Sequence, residues 1–137
     1  MLIFFADPTK EICIIGSRED FGRLASLIRA AKGTMLSGQT GSPAPYDRLL
    51  GPIVIENKPG ESVRFSVTQN GALLIVGDQS KLSILADNVF SISEADDSEG
   101  HWHVEYFPDH FFLAPDSFPV VFELTDAKRN QEFSSLQ

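Results

Sequence analysis

His101, His103 and Glu105 alternate along a stretch that holds all three histidines of the chain and its only tryptophan. It reads His101-Trp102-His103-Val104-Glu105-Tyr106-Phe107-Pro108-Asp109-His110 and continues Phe111-Phe112-Leu113-Ala114-Pro115. On a strand, successive side chains point to opposite faces, so His101, His103 and Glu105 share one face. Trp102, Val104 and Tyr106 share the other and read as the buried set. Pro108 ends the strand because it cannot donate to a ladder. Imidazoles and a carboxylate are suitable zinc ligands, and alternate strand positions can converge on one ion, with His110 as a further candidate. By itself a His-x-His pair is a weak signature, and a solvated polar face on a half-buried strand is the commoner outcome.

Other chemistries have less behind them. General acid–base work by Glu105 and a histidine needs a pocket, which no motif here announces. There is no Gly-x-Ser-x-Gly elbow and no phosphate-binding glycine loop after a strand. Cys13 is the sole cysteine and lies in the apolar run Ile12-Cys13-Ile14-Ile15, where a cysteine is most often an inert buried residue. No intramolecular disulfide is therefore possible. The acidic run Glu94-Ala95-Asp96-Asp97-Ser98-Glu99 lacks the ligand spacing of a calcium loop. It reads either as a solvated turn or as a patch that speeds capture of a basic protein. Tyr106, Phe107, Phe111, Phe112 and Phe118 lie among Pro108, Pro115 and Pro119. Most of these rings belong to a core, while one or two at the surface would anchor an interface.

The chain has 137 residues and a net charge of −8. That balance argues against a nucleic-acid partner, since phosphate binding needs a basic surface. The opening Met1-Leu2-Ile3-Phe4-Phe5-Ala6-Asp7 has no basic n-region and too short an apolar run for a signal peptide. No run approaches the ~20 apolar residues of a membrane span. The cytoplasm is the expected compartment, and no cofactor is implied.

The elements that must position these residues follow from periodicity. Leu2 to Ala6 and Glu11 to Gly16 read as strands separated by an Asp7-Pro8-Thr9 turn. Ser17 caps a helix with Asp20 in the capping-box position, and Phe21, Leu24, Ala25 and Ile28 form its apolar stripe. Lys32-Gly33 ends that helix. A long loop over 33–51 includes Tyr46, Asp47 and Arg48; loops of that length are uncommon unless functional or disordered. Pro52 to Glu56 is a third strand. Ser62 to Thr68 and Ala72 to Val76 form a hairpin about Asn70-Gly71. Asp78 caps a second helix with the stripe Leu82, Leu85, Ala86 and Val89. The His strand and a last strand, Val120 to Leu124, follow.

Residues 2–31 and 63–92 align without a gap at an offset of 61. Phe4 falls on Phe65, Ile14 on Ile75, Gly16 on Gly77 and Leu24-Ala25 on Leu85-Ala86. The expected architecture is α+β: a mainly antiparallel or mixed sheet of about seven strands with two helices on one face. It would contain two strand–strand–helix–strand pseudo-repeats in one domain over 1–124, followed by a polar tail over 125–137.

The run His101-x-His103-x-Glu105-Tyr106-Phe107-Pro108-x-His110-x-x-Leu113-Ala114-Pro115, followed by Pro119-Val120-Val121, resembles the C-terminal signature of the immunity protein 32 family. Gly77-Asp78 and Leu82-Ser83-Ile84-Leu85-Ala86 fit the helix that precedes it in that family. The resemblance covers roughly residues 63–124. Asp109 and Phe111 stand where that signature would carry a Gly and a Pro. The resemblance implies an α+β immunity protein of a bacterial polymorphic toxin system, which is not an enzyme and which binds and blocks a cognate toxin. It carries over no catalytic residues.

On that reading the acidic charge suits a basic toxin. The candidate contact residues are Glu94, Asp96, Asp97 and Glu99, then His101, His103 and Glu105, and on the long loop Tyr46 and Asp47. The alternative is a small metal-binding protein or metal-dependent enzyme on His101, His103, Glu105 and His110. A third possibility is a self-associating domain with an exposed strand edge, for which the sequence leaves the oligomeric state open. The metal reading has a direct test: Zn²⁺ raises the melting temperature and His103→Ala abolishes the rise. An unshifted wild-type transition removes it.

Overall fold

The computed structural model describes residues 1–38, 47–96 and 100–125. β1 (Leu2–Ala6) and β2 (Glu11–Gly16) form an antiparallel hairpin with Phe4 opposite Cys13. α1 (Arg18–Ala30) starts as its sequence specifies: the Ser17 hydroxyl accepts the Asp20 N–H, and the Asp20 carboxylate accepts the Ser17 N–H. These two bonds satisfy N–H groups that a helix start leaves without an intrahelical acceptor. Phe21, Leu24, Ala25 and Ile28 are the buried face. The helix stops at Ala31, whose left-handed φ of 60° turns the chain out.

The second half repeats this order. β6 (Arg64–Val67) and β7 (Leu73–Gly77) form a hairpin, closed by Gly71 at a φ of 83°. α2 (Gln79–Ser93) follows, burying Leu82, Leu85, Ala86, Val89 and Ile92. Its N-cap Asp78 accepts the N–H of Ser80 and, from the preceding turn, that of Gly60 at 2.7 Å. The Gly60 amide, then the Ser80 hydroxyl and amide, pull the Asp78 carboxyl down to about 2.

The α+β class is as expected, and among the described residues nine strands form two mixed sheets. The orders are β4-β1-β2-β9-β8 and β3-β5-β7-β6. β3 (Lys32–Met35) and β4 (Arg48–Leu50) both fall in or beside the stretch read from sequence as one long loop. Lys32-Gly33-Thr34-Met35 buries only Met35, so it carries no alternating apolar pattern to betray a strand.

Each half surrenders its last strands to the other half's sheet. β5 (Ile53–Asn57) leaves the first half and runs parallel to β7, with Ile55 opposite Ile75. β9 (Val120–Leu124) leaves the second half and runs parallel to β2, with Ile14 opposite Phe122. The two junctions match bond for bond. Ile12 N–H donates to the Pro119 carbonyl and Leu73 N–H to the Pro52 carbonyl, both at 2.9 Å. Thr125 N–H donates to the Gly16 carbonyl and Lys58 N–H to the Gly77 carbonyl, both at 2.8 Å. Ile12 and Leu73, like Gly16 and Gly77, are 61 residues apart, so the sequence offset marks a structural repeat.

One apolar core serves both halves, and no described polar residue is buried in it. The Phe122 ring meets Phe21 edge-on at 6.0 Å and Phe65 at 6.5 Å, tying β9 to α1 and to the other sheet. The helices pack on each other. Arg18 at the start of α1 donates to the Ser93 carbonyl at the end of α2, where a cation also offsets the helix dipole. Arg29 pairs with Asp87 at 2.8 Å.

Two glycines in these repeats respond oppositely to a methyl group. A Cβ on Gly77 would lie 3.0 Å from the Val63 Cα and 3.3 Å from its N, backbone atoms that cannot swing aside. Gly77→Ala lowers stability in denaturant titrations by about 1–3 kcal/mol. A Cβ on Gly22, within α1, meets nothing within 4 Å. Gly22→Ala raises stability by about 0.5–1 kcal/mol through helix propensity.

Candidate functional site

β8 (His101–Val104) is the edge strand of the five-stranded sheet, antiparallel to β9. Its alternation is the one read from sequence. His101 and His103 are exposed, while Trp102, Val104 and Tyr106 pack partly buried against the core. His101 Nε2 lies 4.0 Å from the carboxylate of Glu123, its cross-strand neighbour. The strand ends at Val104, four residues before Pro108, and Glu105 is exposed just beyond it.

His110 has a different setting. Its Nδ1 accepts the N–H of Leu113 at 3.1 Å and of Phe112 at 3.3 Å. Its ring lies 4.7 Å from that of Phe107 and 4.6 Å, edge-on, from that of Phe112. Burial among these rings pushes the imidazole below its ordinary value of 6.5. Two N–H donors aimed at Nδ1 require the same neutral form. Nδ1 is thereby engaged as an acceptor and is not presented to an ion. Among the described residues, no three His, Cys, Asp or Glu side chains come together as a ligand set.

The turn that delivers His110 explains a departure in the signature. Asp109 has a φ of 68°, the left-handed region glycine favours. Aspartate is among the few other residues that enter it readily. The segment then docks on the outer edge of β6: Val63 N–H donates to the Phe112 carbonyl at 2.7 Å, and Ala114 N–H to the Val63 carbonyl at 2.8 Å.

Between α2, β8 and this aromatic turn lies a groove of about 290 Å³. Asn88, Val89, Ser91 and Ile92 of α2 form one side. Trp102, His103 and Val104 line it from the strand, Glu105 from just beyond the strand's end, and Phe107, His110 and Phe112 from the turn. The buried ring of Phe122 also lines it. Large apolar side chains are exposed on the same two elements, the turn and α2. Phe107 is 58% exposed and Phe111 84%, while Ile84 and Phe90 stand out from α2 at 40% and 47%.

The expectation that most of these aromatics are core holds for Phe112, which is buried, and for Phe118, half-buried and stacked on Phe5 at 5.9 Å. Phe107 and Phe111 are at the surface. Sequence reasoning did not single out the α2 side of the groove. Of its lining residues only Val89 lies on the stripe read from sequence; Asn88, Ser91 and Ile92 carry no signal that would have marked them.

The other candidate contact residues are scattered. Glu94 and Asp96 are exposed just past the end of α2. Asp47 adjoins β4, which lies at the opposite edge of the five-stranded sheet from β8. There its carboxylate accepts the Asp7 N–H at 2.7 Å, and Arg48 pairs with Asp7 at 2.9 Å. Tyr46, Asp97 and Glu99, and the tail beyond Thr125, lie outside the described residues. No described helix is long and apolar enough to cross a membrane.

The family model of immunity protein 32 matches residues 72–125, part of the chain, in agreement with the resemblance carried by the His101–Pro115 signature. The matched segment runs from the start of β7 through β9 and contains every residue that lines the groove. No curated protein and no solved structure matches the chain.

The His110 setting has a pH signature. Its proton affinity in the native state is below that of the unfolded chain, so native structure binds fewer protons there. The imidazole therefore contributes stability above its ordinary value of 6.5, and that contribution is lost as pH falls through the depressed native value. His110→Ala lowers the melting temperature at about pH 8, and the gap to wild type narrows toward about pH 5. A gap independent of pH would leave ring packing as the whole effect.

Proposed function

We propose that this chain is an immunity protein that binds and neutralises a cognate toxin produced by the same bacterial cell, as part of a polymorphic toxin system. The observation that carries the reading is the immunity protein 32 match over residues 72–125. In this reading the chain acts by binding, not catalysis, and works in the cytoplasm. The groove and its exposed rings lie within the matched segment, and aromatic residues at a surface concavity are the usual anchors of a protein interface.

The net charge of −8 supports a basic toxin, a nuclease among them. In this reading Phe107 and Phe111 supply apolar contact beside the groove, with His103 on the adjoining strand and Glu105 just past its end. Glu94 and Asp96, with Asp97 and Glu99, provide the field that draws the partner in. His101 extends the polar stripe at the same edge. Tyr46 and Asp47 would belong to a second, smaller contact.

Co-expression with the toxin domains encoded beside this gene tests the reading. Rescue of a sensitive bacterial host together with a co-purifying complex is the expected result. Absence of both with every neighbouring toxin removes it. Within a rescued pair, reversing Glu94 and Asp96 to Lys slows association about tenfold at low salt and flattens its salt dependence. Unchanged rates take this acidic turn out of the encounter.

A further inference from the structure

The groove between α2, β8 and the aromatic turn has a composition that narrows what can enter it. Its lining includes the aromatic rings of Trp102, Phe107, His110, Phe112 and Phe122. Among the described residues, Glu105 is the one lining residue with a carboxylate, and no lysine or arginine lines the groove. Two imidazoles line it, those of His103 and His110; the one set among the rings, His110, is held neutral by burial and by the two N–H groups that donate to its Nδ1. The nearest basic group on α2, Lys81, is turned to the Phe111 carbonyl at 3.4 Å.

Aromatic rings and a carboxylate, with no lysine or arginine among the described lining residues, suit a positively charged guest. A guanidinium meets those demands better than an ammonium. It is planar, stacks on rings, sheds water more readily and offers paired N–H donors to a carboxylate. A volume of about 290 Å³ admits one long side chain, not a folded segment. We propose that this groove takes an arginine side chain of the partner, stacked among the aromatic rings with its guanidinium paired to Glu105. The identity of that partner as a toxin rests on the immunity reading; the chemistry of the groove can be tested without it.

Trp102 is the only tryptophan and lines the groove, so its fluorescence and its indole N–H resonance report occupancy directly. The full chain is titrated with N-acetyl-arginine methylamide, and in parallel with the citrulline, lysine and leucine analogues. Arginine is expected to saturate the Trp102 signal with a dissociation constant on the order of millimolar. Citrulline, which keeps the shape without the charge, binds at least about fivefold more weakly, and lysine falls between them. Glu105 is exposed, so Glu105→Gln folds normally, keeps the wild-type melting temperature and reduces arginine binding to the citrulline level.

The proposal is overturned if arginine fails to saturate the signal, if citrulline or leucine binds as tightly, or if Glu105→Gln binds arginine like the wild type. These outcomes are separate from the fate of the immunity reading. A toxin that still co-purifies with Glu105→Gln at undiminished affinity would sink the arginine groove and leave immunity standing. Saturable arginine binding with no rescue by any neighbouring toxin would do the reverse.

Discussion

Two parallel strand pairs hold this protein together. β2 with β9 and β5 with β7 are the places where one half of the chain enters the sheet of the other. A strand–strand–helix unit cannot cover its own hairpin, because its helix carries the chain away to the second sheet. β1 and β2 acquire their inner neighbour only when β9 arrives from the far end of the sequence. β6 and β7 likewise depend on β5. The apolar surfaces of the two helices then close on each other, giving a core to which both halves contribute. Parallel pairing requires such a crossover, and here the two crossovers are made reciprocally.

Symmetry of this kind leaves function to the places where it breaks. In the first half, the segment between β3 and β5 includes β4, which extends the first sheet beside β1. In the second half, the corresponding segment between β8 and β9 is the aromatic turn, which runs across to the edge of β6 through the Val63 and Leu113 bridge. Reaching β6 requires the left-handed Asp109 and places His110 between two phenylalanine rings. The groove exists because this turn stands off from α2 on one side and from β8 on the other. A stable symmetric frame thus supports one asymmetric surface.

The surface matches a role in recognition. An interior with no buried polar residue among the described ones and satisfied helix caps give rigidity, and on the proposed function the acidic exterior would attract a basic partner at long range. On the same proposal, close-range contact would fall to exposed rings that a rigid scaffold holds in place, which limits the entropy lost on association. Electrostatic reach and aromatic anchoring are different physical functions, and they sit on adjacent parts of the chain: the turn after α2 and the turn after β8.

Much of this was legible in the sequence, and the reason is locality. Ser17 with Asp20, Asp78, Gly71, and the two helix stripes depend on contacts within a few residues, so residue type and spacing specified them. The 61-residue offset likewise announced two equivalent units, and the His101–Pro115 signature announced the family resemblance. What the sequence could not contain was the partner of each strand. β3 and β4 have little pattern because they are short and lie at sheet edges, with most of their side chains outside the core. That β9 lies beside β2, that Phe107 and Phe111 face outward while Phe112 faces in, and that α2 supplies one wall of the groove are outcomes of long-range packing. Local periodicity says which face of an element is apolar; only the assembled fold decides what that face meets.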